Sequence, residues 1–171
     1  MPNFIPEQAL PMTQKILNTI ALACLAAVGI ALFCQHFLDM PPCAWCVLQR
    51  LIFLTIAAVC LLANFFSSAI AKKMFAFTVC GLGVCGVLAA WYQYSVASEM
   101  FSCDMTFADR FMAKTTGLDA AIPWLFGIYA TCMDARAELL GVEYAIWSLL
   151  LFAVIVIASL AVLFRKNNTA Q

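Results

Sequence analysis

Two cysteines three residues apart, Cys43-Ala44-Trp45-Cys46, stand behind two prolines, Pro41 and Pro42, at the head of an apolar stretch. In a helix this spacing brings both sulfurs within one turn, which suits a reversible disulfide. Proline tolerates the first turn of a helix, so the prolines set its start and leave both sulfurs near backbone N–H groups that have no intrahelical partner. Such groups favour the thiolate, the reactive form of the side chain. Arg50 follows Cys46 by four residues, which puts it about 6 Å further along the same helix face. An arginine inside an apolar span is costly unless it is used. Two readings stay open for it: an interface residue whose head reaches the membrane surface, or a fixed positive charge beside the Cys46 sulfur and the polar head of an apolar electron carrier.

A second pair, Cys103 and Cys132, has 28 residues between its members and lies near Asp104 and Asp134. In an oxidising compartment the two should pair, either as a staple closing a loop or as an exchangeable disulfide. With Cys43 and Cys46 on the same side of the membrane, the exchangeable reading gains weight and two disulfides suggest a relay. The other five cysteines, Cys24, Cys34, Cys60, Cys80 and Cys85, lie inside apolar runs, where small sulfurs pack between helices. Cys34 is close to a span end. His36, the single histidine, reads as an interfacial hydrogen-bonding residue, and Gly81, Gly83 and Gly86 as close helix contacts.

The elements that must position these groups follow from composition. Of 171 residues, 65% are hydrophobic and 11% charged, with nine basic and nine acidic side chains, far too few to cover a soluble domain of this size. Zero formal net charge gives no footprint for nucleic acid. A bilayer core needs about 20 apolar residues of helix, and four stretches qualify: 16–37, 46–66, 74–96 and 144–164. None of them alternates with period two, so an all-α membrane protein follows, a four-transmembrane-helix bundle forming one integral membrane domain over 1–171. Lys15, Lys72, Lys73, Arg165 and Lys166 fall on the side of both termini, which the positive-inside rule makes cytoplasmic. The periplasm then holds a short connection over about 38–45 and a long loop over 97–143, where Arg110, Lys114 and Arg136 are outnumbered by acidic neighbours. A cleaved or lipidated leader ending at Cys24 is disfavoured, because the apolar run continues and Ala21 stands where a large aliphatic belongs. Inside the long loop, Ala120–Ala130 is strongly apolar but half the length needed to span. It either lies on the membrane surface with Trp124 and Tyr129 at the interface, or plugs a folded loop.

These residues, taken in order, resemble the DsbB family of disulfide-bond-formation membrane proteins over nearly the whole chain. The resemblance rests on Gln35-His36 at the end of the first span, Pro42-Cys43-x-x-Cys46-x-x-x-Arg50, Cys103-Asp104, Cys132, and Leu140-Gly141-x-Glu143 followed by Trp147. It implies a thiol:quinone oxidoreductase of the bacterial inner membrane. Cys103 would form a mixed disulfide with a periplasmic DsbA-like thioredoxin-fold protein, and Cys132 would complete the loop pair. Electrons would pass to Cys43 and Cys46, with Cys46 against the ring of ubiquinone or menaquinone and Arg50 supporting it. One departure stands out. Where the family often carries a histidine near the quinone, this chain has Trp91-Tyr92-Gln93-Tyr94, so Gln93 is the expected hydrogen-bond donor there, or part of an aromatic interface belt.

Other readings fit less well. A vitamin K epoxide reductase-like bundle shares the thiol and quinone chemistry, but Cys43–Cys46 at the head of the second span with Arg50 behind it favours the first reading. A DsbD-type conduit relies on cysteines buried within helices. A soft-metal site built from Cys43, Cys46, Cys103 and Cys132 would place two ligands far apart in sequence, in a compartment that favours disulfides.

Overall fold

The structure, a computed structural model, describes residues 9–96, 106–131, 138–139 and 141–165. Helix α1 spans Ala9–Phe37; α2 spans Ala44–Leu62 and runs into a 3-10 turn, Ala63–Phe65; α3 spans Ala69–Ser95. Three short helices follow: α4 (Phe107–Asp109), which continues as a π-helical segment over Arg110–Thr116, then α5 (Leu118–Ala121) and α6 (Pro123–Phe126). A small antiparallel hairpin, β1 (Glu138–Leu139) with β2 (Val142–Glu143), leads into α7 (Tyr144–Phe164). Four of the helices are long and apolar enough to cross a membrane, so the protein is an all-α, four-helix membrane bundle. The hairpin turns at Gly141, whose φ of 77° suits glycine. Two residues per strand leave no alternation to read beforehand.

Side-chain spacing explains the packing. On α3 the buried residues include Ala76, Val79, Gly83, Gly86, Ala90 and Gln93; on α7 they are Ala145, Ser148, Phe152, Ile155, Ser159 and Val162. Both series step by three and four, which keeps one stripe of each helix facing the other. Small residues on α3 let α7 approach closely. A Cβ at Gly86 would collide with the Phe152 ring, and one at Gly83 would stand 2.9 Å from Val156 Cγ2. Phe152 in turn stacks on Phe53 of α2, with ring centroids 4.0 Å apart. Gly81 does not share this role: a Cβ there meets open space, because it lies off the stripe.

The outer surface is apolar, with Leu22, Ile30, Phe33, Phe77, Leu88, Val154 and Ile157 all exposed. That inversion of the soluble pattern suits hydrocarbon as the solvent. Cys24, Cys34 and Cys60 are buried, Cys80 is half-buried and Cys85 is exposed. Packing between helices therefore describes the first three, while Cys85 lies on the outward side of α3, off the stripe that meets α7.

The two ends of the bundle differ. At one, Gln14 Nε2 donates to Asn18 Oδ1 (3.0 Å) and to Asn64 Oδ1 (2.5 Å), and Asn64 Nδ2 donates to Asn18 Oδ1 (3.1 Å). The start of α1 is thereby fastened to the turn between α2 and α3, near Lys15, Lys72 and Lys73. At the other end the short helices fold over the start of α2. Thr106 and Asp109 form a capping box that opens α4, and Gly117, at φ 62°, ends the π-helical segment. Ala108, Met112 and Phe126 then pack with Cys43, Ala44, Trp45 and Val47 in one apolar cluster. The stretch 120–130 is broken at Ile122. It packs through Phe126, as a plug would, while Trp124 and Tyr129 stay exposed, as interfacial residues would.

Candidate functional site

Cys43 is the N-cap of α2, with extended backbone and no side-chain capping bond, and its carbonyl accepts the first helical hydrogen bond from Val47 N (3.1 Å). Cys46 is consequently the third residue of the helix. Both sulfurs lie in the first turn, where backbone N–H groups have no intrahelical partner and the helix dipole is positive. The two thiols are in contact, with Cys43 Sγ donating to Cys46 Sγ at 3.3 Å. Small side-chain rotations separate that contact from a disulfide bond of about 2.05 Å. Cys43 is 0% exposed, beneath the loop helices, and Cys46 is half-buried.

Two polar groups reach Cys46 from different sides. Gln93 on α3 donates from Nε2 to Cys46 Sγ (3.2 Å), and its Oε1 accepts from Gln49 Nε2 (2.7 Å). Arg50 is 6% exposed and donates from Nη1 to Gln35 Oε1 on α1 (2.5 Å) and to the Leu125 carbonyl (3.1 Å). Both acceptors belong to the protein, one on α1 and one in the loop, so the guanidinium is held inside the bundle. Arg50 and Cys46 line one cleft together with Ala31, Cys34, Met40, Pro41, Pro42 and Tyr144. Gln93 is absent from that lining; it faces the sulfur rather than the cleft.

The loop is tied to this site at several points. Tyr129 N donates to the Pro42 carbonyl (3.1 Å), one residue before Cys43. His36 Nε2 donates to the Trp124 carbonyl (3.1 Å), the hydrogen-bonding role expected of it. Trp45 lies against Tyr92 of α3 (centroids 4.8 Å apart) and near Phe107 (6.5 Å). Its indole N–H is buried with no hydrogen-bond partner among the described residues.

Cys103 and Cys132 lie outside the described residues, as do Asp104, Asp134, Arg136, Leu140 and Lys166. Of the sequence-derived site residues, the structure brings Cys43, Cys46, Arg50 and Gln93 together. Sequence reasoning missed Gln49, Tyr144 and the Leu125 carbonyl, and gave Gln35 no role. Gln49 did carry a signal: it follows Cys46 by three residues, a polar side chain on the same face of an apolar helix as Cys46 and Arg50.

Comparison with known proteins points to one family. The family model "Disulfide bond formation protein DsbB" matches residues 13–162. Disulfide bond formation protein B of Herminiimonas arsenicoxydans is 30% identical over 160 residues, covering 91% of this chain and 98% of that protein. The protein of the same name from Dechloromonas aromatica is 31% identical over 156 residues, 88% and 92% of the two chains. That from a Polaromonas species is 28% identical over 163 residues, 90% and 92%. With four apolar helices and a thiol pair at the head of the second, the chain belongs to the DsbB family: it is a multi-pass bacterial membrane oxidoreductase of disulfide bond formation.

Proposed function

We propose that the chain is a protein thiol:quinone oxidoreductase of the inner membrane, which reoxidises a periplasmic DsbA-like dithiol protein of thioredoxin fold and delivers the electrons to ubiquinone or menaquinone. The observation that carries this reading is the hydrogen bond from Tyr129 N to the Pro42 carbonyl. It fastens the loop next to Cys43, and Cys132 follows Tyr129 by three residues, about 10 Å of extended chain at most. Thiol exchange between the loop pair and Cys43 therefore needs no long excursion. The lysines near the Gln14–Asn18–Asn64 end support a cytoplasmic placement of that end and a periplasmic placement of the cysteines.

In this reading a thiolate of the soluble partner attacks Cys103 of a Cys103–Cys132 disulfide, and the electron pair of the broken bond leaves on Cys132. Cys132 attacks Cys43 Sγ, forming one S–S bond and breaking Cys43–Cys46, so the pair passes to Cys46. The partner's second thiolate then displaces Cys103, which re-forms the loop disulfide by attacking Cys132 and frees Cys43. The sum is one oxidised partner and a reduced Cys43–Cys46 pair. A quinone bound at the cleft would supply a sink for two electrons and two protons. The donor set fits such an acceptor: apolar walls from Ala31, Met40 and Pro41, a guanidinium held by Gln35 and Leu125, and the Tyr144 phenol. Arg50 offers its positive charge to oxygen atoms that gain electron density, and to the Cys46 sulfur.

The direct test is to mix the purified protein with a reduced thioredoxin-fold partner and a ubiquinone or menaquinone analogue and follow quinone absorbance. Catalytic quinone reduction coupled to partner oxidation is expected. Failure with both quinones, at full thiol exchange with the partner, overturns the acceptor. For orientation, a membrane-impermeant thiol reagent applied from the periplasm should label reduced Cys103 and spare Lys72→Cys; equal labelling contradicts the placement.

A further inference from the structure

The relay above uses neither of two glutamines buried in the apolar bundle, Gln49 (3% exposed) and Gln93 (7% exposed). A buried amide is costly unless its groups are hydrogen-bonded, and these two bond in series: Gln49 Nε2 to Gln93 Oε1 at 2.7 Å, then Gln93 Nε2 to Cys46 Sγ at 3.2 Å. An amide has two unlike ends. Turned by half a rotation, Gln93 would set its oxygen lone pairs against the sulfur. Gln49, which donates to that oxygen, opposes a turn of Gln93 alone.

We propose that Gln49 is a positioning residue for disulfide exchange: acting through Gln93, it keeps the Gln93 amide N–H group aimed at Cys46 Sγ. The proposal rests on the exchange step assigned above. A thiolate that attacks Cys43 Sγ forms one S–S bond and breaks another, and the electron pair of the broken bond goes to Cys46 Sγ. The sulfur thereby gains charge, and a fixed N–H donor binds it more strongly than the neutral disulfide sulfur it replaces. The reduced state of the pair is favoured by that difference. A Gln49 that served only to pack α2 on α3 would leave the balance between the two states unchanged.

The test is the reduction potential of the Cys43–Cys46 couple in the intact protein, set by glutathione buffers and read by alkylation and peptide mass spectrometry. Neither the soluble partner nor a quinone enters, so the result is independent of whether the turnover reading succeeds. Gln93→Met, close in shape but without the donor, should lower the equilibrium constant for reduction about tenfold, or about 30 mV. Gln49→Met should lower it about threefold in the wild-type background and not at all in a Gln93→Met background, because its effect passes through that amide. Gln49→Leu, of different shape but equally lacking the donor, should match Gln49→Met. An unchanged potential in both Gln49 variants overturns the proposal, as does a shift that follows side-chain shape or persists without Gln93. The Cys103–Cys132 couple, read in the same samples, should not move.

Discussion

The core cysteines Cys24 and Cys60 and the helix-capping Cys43 are equally hidden and differently built. Cys24 and Cys60 are both 0% exposed in the apolar core, among Phe53, Ile56 and Phe152, and neither makes a side-chain hydrogen bond to another described residue. Cys43 is as deeply covered, yet it caps a helix, and its neighbour Cys46 has an amide donor on one side and a guanidinium-bearing cleft on the other. Burial therefore does not separate the two settings. The separation comes from backbone N–H groups at a helix start and from polar side chains placed to meet charge on sulfur.

Cysteine replacement should have the largest effect. Cys43→Ser or Cys46→Ser should abolish quinone reduction, and so should Cys103→Ser or Cys132→Ser; retained turnover in Cys103→Ser would remove the relay. Next in size is Arg50→Met, expected to slow the quinone step by roughly ten- to a hundredfold, the worth of a charge-assisted contact of about 1.5–3 kcal/mol. Arg50→Lys should fall between, since it keeps charge and loses the planar fork. Stopped-flow traces should show thiol exchange with the partner nearly unchanged in both; a wild-type quinone rate in Arg50→Met would reduce the residue to a tie between α1, α2 and the loop.

Smaller effects probe the apolar region. Gly86→Ala drives a methyl into the Phe152 ring and should cost about 1–3 kcal/mol of stability by overpacking, seen as a lower Tm in detergent, whereas Gly81→Ala should leave Tm unchanged. Equal effects at the two glycines would contradict the packing of α3 on α7. Smallest of all, Cys24→Ala and Cys60→Ala should keep turnover within about twofold, as inert structural thiols do. A large loss there would erase the distinction between the two cysteine settings.

What the sequence disclosed followed the range of its signals. Long apolar runs and the Cys-x-x-Cys spacing are local, so the four helices and the thiol pair could be read from order alone. Arg50 was legible as an anomaly, but its hydrogen-bond partners were not, because Gln35 and Leu125 lie 15 and 75 residues away along the chain. Gln49 and Gln93 are 44 residues apart on different helices, and only packing reveals that they share one hydrogen bond. The loop's cover over Cys43 was equally hidden. Its pieces are too short for periodicity to register, and the apolar residues of 120–130 face both inward and outward.

In the proposed relay Cys43 and Cys46, placed at the start of α2, hand electrons to the acceptor themselves. Protein carrying Cys103→Ser and Cys132→Ser, fully reduced and then mixed anaerobically with a ubiquinone or menaquinone analogue, isolates that step. A single turnover is expected, with one quinone reduced per chain and a Cys43–Cys46 disulfide recovered by mass spectrometry, and no reduction when Cys46→Ser is added. Quinone left oxidised by the reduced pair, or reduced equally well without Cys46, would contradict it.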